Sequence, residues 1–448
     1  MINTAFTNSL SYKEYLKYLA PSIVSMVFLS FYTTIDGFFV SRYVNANALA
    51  AINIVVPLTC VFFGIAVMLA TGAGAIVGIR QGEGRRHEAN QFFTFIVLCL
   101  LVIILILTLG FLIFLDPILR ISGSNDTLIP YTRPYGFWTI MMIPAMMLKL
   151  FLEYFSRIDG HPKLAMVMSV TGLVANLILD WLFVAIFKLG ISGAGIATGL
   201  SMYISAFIGI LHFVSGKSNL KLVKPKMQFK GFIRACYNGS SEMMTEFSTG
   251  ITTLLFNLTL LKFAGENGVA AMSVITYFYY FFTSVYFGIT VAAQPIISYN
   301  VGARNQNKLK EIVRQSYFTL LWSSIAIVGL SFIFAKPLVM IFSVDPKVLA
   351  IAIPGFRLFC IAFLLCGFNI FISGYFTAIG NGGMSAIVSF CRSLIFVFAY
   401  LMILPKIFDL PGVWLTNPMA EITTAIIAFI LYKAFNLQKD KNFNKLNI

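Results

Sequence analysis

The sequence predicts an all-α integral membrane protein, with twelve transmembrane helices in two parallel-repeat six-helix lobes around a central cleft. Composition is the first observation behind this fold class: the 448 residues are 59% hydrophobic and 11% charged, with a mean hydropathy of +0.87. Soluble domains are about 25% charged. The second observation is a series of long apolar segments. The third is a set of turn residues that recurs at a constant offset.

Each apolar segment is long enough to cross a membrane. A helix needs about 20 residues to cross a hydrocarbon core roughly 30 Å thick. The twelve predicted spans cover residues 14–40, 48–79, 90–115, 134–158, 163–187, 193–215, 232–262, 268–299, 310–335, 350–378, 384–407 and 413–436.

The chain repeats itself at an offset of 220 residues. Gly82 returns as Gly302 and Gly160 as Gly380. Because turn residues keep this spacing, the sequence predicts a duplicated fold, which in so apolar a chain favours transport. Six is an even number of spans, so both halves enter the membrane in the same direction and the repeat is parallel.

A polar connector at residues 215–234 divides the chain. We predict an N-lobe at residues 1–214 and a C-lobe at residues 235–448, which ends in a basic tail. The connector is basic and contains Pro225. It is predicted to be a cytoplasmic linker with a short surface helix.

The net charge of +15 mainly reports orientation. With both termini placed in the cytoplasm, 21 Lys and Arg fall on the inner side and 8 on the outer side. This bias is the positive-inside rule. We therefore expect a multi-pass protein of the cell membrane, surrounded by the lipid bilayer, with both termini cytoplasmic and no nucleic-acid partner.

Two carboxylates lie inside predicted spans of the first half. Asp36 sits in FYTTIDGFFV, and Asp180 follows Asn176 by four residues in span 5. A charge near the bilayer centre costs about 3 kcal/mol, so such residues usually face a cavity or a partner. Their oxygens suit a hard cation such as Na⁺, and a desolvated carboxylate can also carry a proton. The alternative is that each aspartate satisfies a helix break or reaches the outer interface.

The second half offers another candidate site. Glu242 and Glu246 lie at i, i+4 early in span 7. They are either a titrating pair or a face near the inner interface, paired with Arg234. Arg357 and Arg392 have no local acidic neighbour and can pair with either glutamate or contact an anionic substrate.

Two further features concern structure and motion. Lys149 and Glu153 are at i, i+4, and we expect them to neutralise one another. Pro21 interrupts span 1 fifteen residues before Asp36. Proline removes a backbone hydrogen bond and favours a kink, which is either a gating bend or a static one.

Together these residues resemble the multidrug and toxic compound extrusion (MATE) transporters, best matching the prokaryotic DinF-like branch. The resemblance rests on the two six-span halves, the sequence QPIISYNVGARN from Gln294, and the aspartates Asp36 and Asp180. It covers essentially the whole chain, and it implies a prokaryotic source.

The resemblance assigns roles to particular residues. It implies a first-lobe cation site, a supporting tyrosine in span 4 at Tyr135, and a functional first-helix proline at Pro21. The implied cation site consists of Asp36, Asn176, Asp180 and Thr198. Glu242 and Glu246 resemble the second-lobe acidic site of another branch. The acidic partner expected in span 10 is absent from the sequence, where Arg357 stands instead.

The resemblance implies a cation-coupled antiporter that exports drugs or metabolites by alternating access. The coupling ion is H⁺ or Na⁺, and we expect no other cofactor. The expected substrate is a small cationic or amphipathic organic compound, and the expected state is a monomer. The alternative is a flippase for a lipid-linked or amphipathic lipid. An enzyme is disfavoured because the chain contains neither HExxH nor GxSxG.

The repeat fails at the predicted cation site. At the 220-residue offset, Asp36 corresponds to Phe256 and Asp180 to Tyr400. We therefore predict that the first lobe is the half that binds the coupling ion.

Overall fold

The structure, a computed structural model, describes residues 4–44, 46–342 and 344–445. Side chains are described in these ranges except at 4, 33, 34, 36–38, 41, 46–50, 53, 56 and 436–445. No strand occurs among the described residues. The helices are α1 (Thr4–Thr7), α2 (Tyr12–Ser30), α3 (Tyr32–Tyr43), α4 (Ala46–Gly82), α5 (Arg86–Ile113), α6 (Leu115–Ile121), α7 (Ile129–Ile158), α8 (Pro162–Asp180), α9 (Gly190–Val214), α10 (Phe229–Gly302), α11 (Gln306–Ile333), α12 (Ala335–Phe342), α13 (Pro346–Phe359), α14 (Phe363–Ala378), α15 (Gly382–Phe390) and α16 (Phe396–Lys445).

The helices account for twelve membrane spans. In the described part of the chain, nine helical stretches are long and apolar enough to cross a membrane. Two of these stretches are broken in the middle, one at Gly265 (φ 61°) in α10 and one at Asp409 (φ 50°) in α16. Dividing them gives eleven spans, and α2 with α3 provides the twelfth. The predicted all-α membrane fold is confirmed.

The duplication is visible in the positions where helices end. Helices α5 and α11 begin and end at residues separated by the 220-residue offset. Gly160 and Gly380 both have a left-handed backbone, with φ of 85° and 80°. Glycine adopts this conformation without the steric penalty of a Cβ atom, so the repeated glycines mark the same turn in each half.

The two halves meet where α4 and α10 end. A Cβ atom added to Gly82 would overlap the carbonyl oxygen of Tyr299, and one added to Gly302 would overlap that of Ile79. Ile79 and Tyr299 are themselves 220 residues apart. The contact is therefore symmetric, and the approximate two-fold axis of the repeat passes through it.

The buried apolar residues form two hydrophobic clusters. One draws its residues from positions 32–235. The other draws them from positions 256–428 and also from positions 5–19 at the start of the chain. There the Tyr15 hydroxyl lies 2.6 Å from the Ser316 hydroxyl of α11. The first span consequently starts against the second half and ends in the core of the first.

The first span is interrupted at Phe31, and α2 runs through Pro21 without a break. Nine residues of helix, 22–30, thus separate the proline from the junction between α2 and α3. A gating bend at Pro21 stays a prediction, and the junction at Phe31 is a second place where the span can flex.

The connector differs from its prediction. Residues 215–228 contain no helix, and α10 begins at Phe229, inside the predicted linker. Side chains of the first half supply partners for the connector backbone: Leu220 N–H donates to Asp159 Oδ1 (2.6 Å) and Val223 N–H to Thr94 Oγ1 (3.1 Å). Because these partners satisfy the backbone, the connector needs no helix of its own. The predicted short surface helix was wrong.

Candidate functional site

Three polar residues of the predicted cation site lie together in the first half. Asn176 and Asp180 are one turn apart on α8 and fully buried, and Thr198 on α9 is almost fully buried. The Asn176 Nδ2 atom donates to the Thr198 hydroxyl oxygen at 3.4 Å. The Thr198 hydroxyl donates to the Ala194 carbonyl at 2.9 Å, which turns the oxygen lone pairs towards α8.

Helix α8 changes its winding directly after Asp180. The next six residues, Trp181–Ile186, form a π-helical turn. Such turns often lie at functional sites, because the extra residue redirects side chains and weakens the regular hydrogen-bond ladder. Asp180 thus lies at the junction between the regular α-helix and the π-helical turn.

Tyr135 packs close to this site. A Cβ atom on Gly195 would lie 3.6 Å from Tyr135 Cδ2 and 2.8 Å from the Cβ atom of Trp138. Gly195 therefore allows α7 to approach α9 one turn before Thr198. The buried Tyr135 ring forms part of the wall beside the threonine.

The side chain of Asp36 lies outside the described residues. Its helix, α3, contacts α8, α9 and the π-helical turn, which together carry the three polar residues above. On α3, Tyr32, Phe39 and Val40 are buried in the core of the first half. The backbone thus brings the Asp36 helix to the predicted site.

The donor set suits a hard cation. The site offers a carboxylate, an amide and a hydroxyl, and oxygen atoms of these groups are the ligands that Na⁺ and similar ions take.

A second buried network lies deeper in the first half. Lys149 Nζ is 3.6 Å from Glu153 Oε1, with both side chains 1% exposed. This bears out the predicted neutralising pair. Ser169 on α8 donates to the same glutamate at 2.8 Å, and Lys149 lies over the Tyr32 ring at 4.5 Å.

Arg157 extends this network to α2. The residue is fully buried. Its guanidinium donates to the hydroxyls of Ser22 (3.3 Å) and Ser25 (2.8 Å), and to the Glu153 carbonyl (3.0 Å). The first span is therefore tied to α7 at the residue that follows Pro21.

In the second half, Glu242 and Arg392 line one cavity together with Gln294 and Asn369. Glu246 lies one turn further along α10 and faces the first half: a Cβ atom on Gly64 of α4 would lie 3.7 Å from its Cβ atom. The glutamate pair thus lies between the two halves.

The partner of Arg392 is Glu421, a residue absent from the sequence interpretation. Arg392 Nε is 3.1 Å from Glu421 Oε1, with both side chains 6% exposed. Asn369 Nδ2 donates to the other carboxylate oxygen at 2.7 Å. The predicted pairing of Arg392 with Glu242 or Glu246 was wrong. A lone carboxylate in the apolar segment 413–436 is the sequence signal that marks Glu421.

The sequence named Arg357 as a possible partner of Glu242 and Glu246, but Arg357 is not among the residues that line the cavity of Glu242. The Arg357 side chain is exposed and lies over the ring of Phe332, with 5.5 Å from the guanidinium carbon to the ring centroid. The arginine that shares a cavity with Glu242 is Arg392.

Two similar helical halves, joined along α4 and α10, together with buried carboxylates inside the spans, define a membrane transporter. Comparison with known proteins identifies the family, because a family model described as MatE matches residues 21–182 and 243–401. The chain belongs to this family of multidrug and toxic compound extrusion transporters. It is a transporter and not an enzyme.

Relatives match over nearly the full length. The chain is 23% identical to "Multidrug export protein MepA" of Staphylococcus haemolyticus (strain JCSC1435), covering 96% of this chain and 95% of the relative. It is 22% identical to the protein of the same name from Staphylococcus aureus (strain NCTC 8325 / PS 47), covering 95% and 94%. A solved structure described as "Crystal structure of MATE in complex with MaL6" superposes with a TM-score of 0.90 at 21% identity, covering 96% and 97%. That superposition confirms the fold.

Proposed function

We propose that this chain exports small cationic or amphipathic organic compounds across the cytoplasmic membrane, in exchange for inward movement of H⁺ or Na⁺. It works as a monomer with both termini in the cytoplasm. The observation that carries the proposal is the fully buried Asp180, which lies beside Asn176 and Thr198 in the first half. A buried carboxylate inside a membrane span calls for a proton, a cation or a charged partner.

The contact between the halves supplies the gate. Gly82 and Gly302 bring α4 and α10 together at the end that the charge bias assigns to the cytoplasm. Export requires this contact to part so that substrate can enter, and to re-form before release. The ion and the substrate must favour different arrangements, because a ligand with equal affinity for both shifts neither.

The first span connects the ion site to this movement. It begins against the second half, binds Arg157 through Ser22 and Ser25, and continues as α3 beside the cation site. Ion binding near Asp180 can therefore reach both halves through one helix.

A cavity in the second half supports the proposed substrate class. Its lining combines threonines with the aromatic side chains of Tyr279, Tyr280 and Phe359, with Met272, and with the Arg392–Glu421 ion pair. Aromatic faces attract cations, and methionine adapts to varied apolar shapes. The names of the relatives, as multidrug export proteins, support the same class.

A lipid flippase is less well supported. Binding an anionic headgroup would call on the cations inside the spans. Lys149 is neutralised by Glu153 and Arg392 by Glu421. Arg157 already donates to the hydroxyls of Ser22 and Ser25 and to the Glu153 carbonyl, and Arg357 is exposed over Phe332.

The deciding experiment measures efflux of a cationic dye from proteoliposomes with a pH gradient and a Na⁺ gradient imposed separately. We expect one gradient to drive export. Dye export at the same rate with and without either gradient would contradict ion coupling. Lipid flipping without dye export would favour the flippase.

Two variants test the carboxylates. Asp180→Asn and Asp36→Asn keep the side-chain size and remove the titratable, ion-binding group, so we expect gradient-driven efflux to be abolished while the protein stays folded. Asp116→Asn is the matched control, because Asp116 forms an exposed ion pair with Arg133 at 3.0 Å. Retained gradient-driven efflux in Asp180→Asn would sink the proposed role of this site.

A further inference from the structure

A separate cluster of ligating side chains lies where α7, α8 and α9 end against the connector. Asp159 directly follows α7, His161 directly precedes α8, and His212 lies in the last turn of α9. The Asp159 side chain is fully buried, whereas those of His161 and His212 are 41% and 13% exposed. The cation site described above, with Asn176, Asp180 and Thr198, lies elsewhere on α8 and α9.

The two imidazoles converge on one carboxylate oxygen. His161 Nδ1 is 2.9 Å and His212 Nε2 is 3.0 Å from Asp159 Oδ2. The three atoms all lie within 4.8 Å of one another. Asp159 and His161 come from the same turn between α7 and α8, and the packing of α9 brings His212 to them.

The other oxygen of Asp159 is held by the connector. The Ser218 hydroxyl donates to Asp159 Oδ1 at 2.9 Å, and Leu220 N–H donates to the same oxygen at 2.6 Å. Asn219 Nδ2 donates to the Asp159 carbonyl at 2.8 Å. Supporting hydrogen bonds of this kind orient a metal ligand and raise its affinity. They leave Oδ2 directed at the histidines.

We propose that Asp159, His161 and His212 bind a divalent transition-metal ion of the Zn²⁺ type. Imidazole nitrogen and carboxylate oxygen are ligands that Zn²⁺ takes, and three protein ligands with a water molecule in the fourth position form a common open site. The partial exposure of His161 provides the opening. On metal binding, each ring nitrogen that faces Oδ2 gives up its proton, to the other nitrogen of the ring or to water, and its lone pair then binds the metal in place of the hydrogen bond.

The metal joins the ends of three helices to the connector between the halves. It links the ends of α7, α8 and α9 through their side chains, and Asp159 also holds the connector between the halves. A bound ion therefore stiffens this surface of the first half where the connector leaves it.

The test uses the purified full-length protein in detergent, with any affinity tag removed, and two metals as probes. Zn²⁺ binding is followed by calorimetry, and Co²⁺ binding by its visible absorption, which reports tetrahedral nitrogen and oxygen ligands. We expect one strong site per chain. We expect His161→Ala and His212→Ala each to weaken Zn²⁺ binding at least about tenfold, the lower end of what loss of supporting partners alone produces.

The chain offers a matched control because His87 is its only other histidine, and it is exposed at the start of α5. We expect His87→Ala to bind Zn²⁺ as the unchanged protein does. Zn²⁺ should also raise the melting temperature of the unchanged protein and of His87→Ala, and raise that of His161→Ala by less.

Should His212→Ala fail to fold, His161→Ala still decides, since its side chain is the more exposed of the two. Equal Zn²⁺ affinity in His161→Ala and His87→Ala overturns the proposal, and so does the absence of a strong site in the unchanged protein. Either result would leave Asp159 as a hydrogen-bonded anchor for the connector alone.

Discussion

At the scale of single residues, one buried ion pair joins two spans of the second half. Arg392 and Glu421 come from different spans and are both almost fully buried. A buried ion pair contributes little net stability over an apolar replacement, but removing one partner leaves an uncompensated charge. The pair therefore constrains how the last two spans pack.

Replacing Glu421 by Gln tests this at constant side-chain size. The substitution leaves Arg392 buried without a carboxylate, and we expect the free energy of unfolding to fall by about 3–5 kcal/mol. Denaturant unfolding of the purified protein in detergent gives the value.

The control for this variant is again Asp116→Asn. The side chains of Asp116 and Arg133 are 50% and 64% exposed. Loss of this ion pair should therefore change the free energy of unfolding by no more than about 1 kcal/mol. Equal unfolding free energies for the two variants would show that Arg392 finds another partner or water.

At the scale of elements, the ends of α4 and α10 carry one of the closest described approaches between the two halves. Gly82 and Gly302 lie against carbonyl oxygens of the opposite helix, and neither position has room for a Cβ atom. The repeated glycines in the sequence thus have a tertiary reason as well as a local one. They allow two backbones to touch across the repeat axis.

Gly302→Ala should disfavour this contact. Overpacking a tight contact costs about 1–3 kcal/mol, which corresponds to a roughly 5–150-fold shift between two arrangements. We expect slower efflux, and faster thiol labelling of a cysteine introduced at Ser298, which is buried beside Gly78.

Gly110→Ala is the control, because a Cβ atom there meets open space. Labelling at position 298 that is unchanged in Gly302→Ala and equal to that in Gly110→Ala would refute the proposed gate.

Helix positions were largely predictable, and their partners were not. A span needs about 20 apolar residues, which are easily found between polar breaks in the sequence. The ends of α5 and α9 therefore lie within a few residues of the ends of the predicted spans 90–115 and 193–215. The sequence alone places Asn176 and Asp180 on one helix face, because residues four positions apart are neighbours on the surface of an α-helix. The contact of Arg157 with Ser22 was not predictable, since it depends on how α2 crosses α7.

At the scale of the whole molecule, orientation remains to be tested. The charge bias assigns the connector to the cytoplasm and the loop near Asp409 to the outside. Lys224 and Lys406 are exposed in these two places. A cysteine at either position reports its side of the membrane.

We expect Lys224→Cys to react with a membrane-impermeant maleimide only after cells are opened. Lys406→Cys should react in intact cells. The unchanged protein, whose six cysteines are all free, sets the background labelling. The reverse pattern would invert the orientation and, with it, the direction of transport proposed above.

The sequence by itself determined that the protein lies in a lipid bilayer, how many spans it has and that its fold is duplicated. These properties follow from composition, from the lengths of apolar segments and from glycines and prolines that shape the chain locally. The sequence also marked Asp180 and Asn176 as neighbours. Only the tertiary structure decided which distant groups meet. It brought Glu421 to Arg392, converged His161 and His212 on Asp159, and laid the start of the first span against the second half. Such contacts depend on how helices far apart in the chain pack, and no local pattern records that.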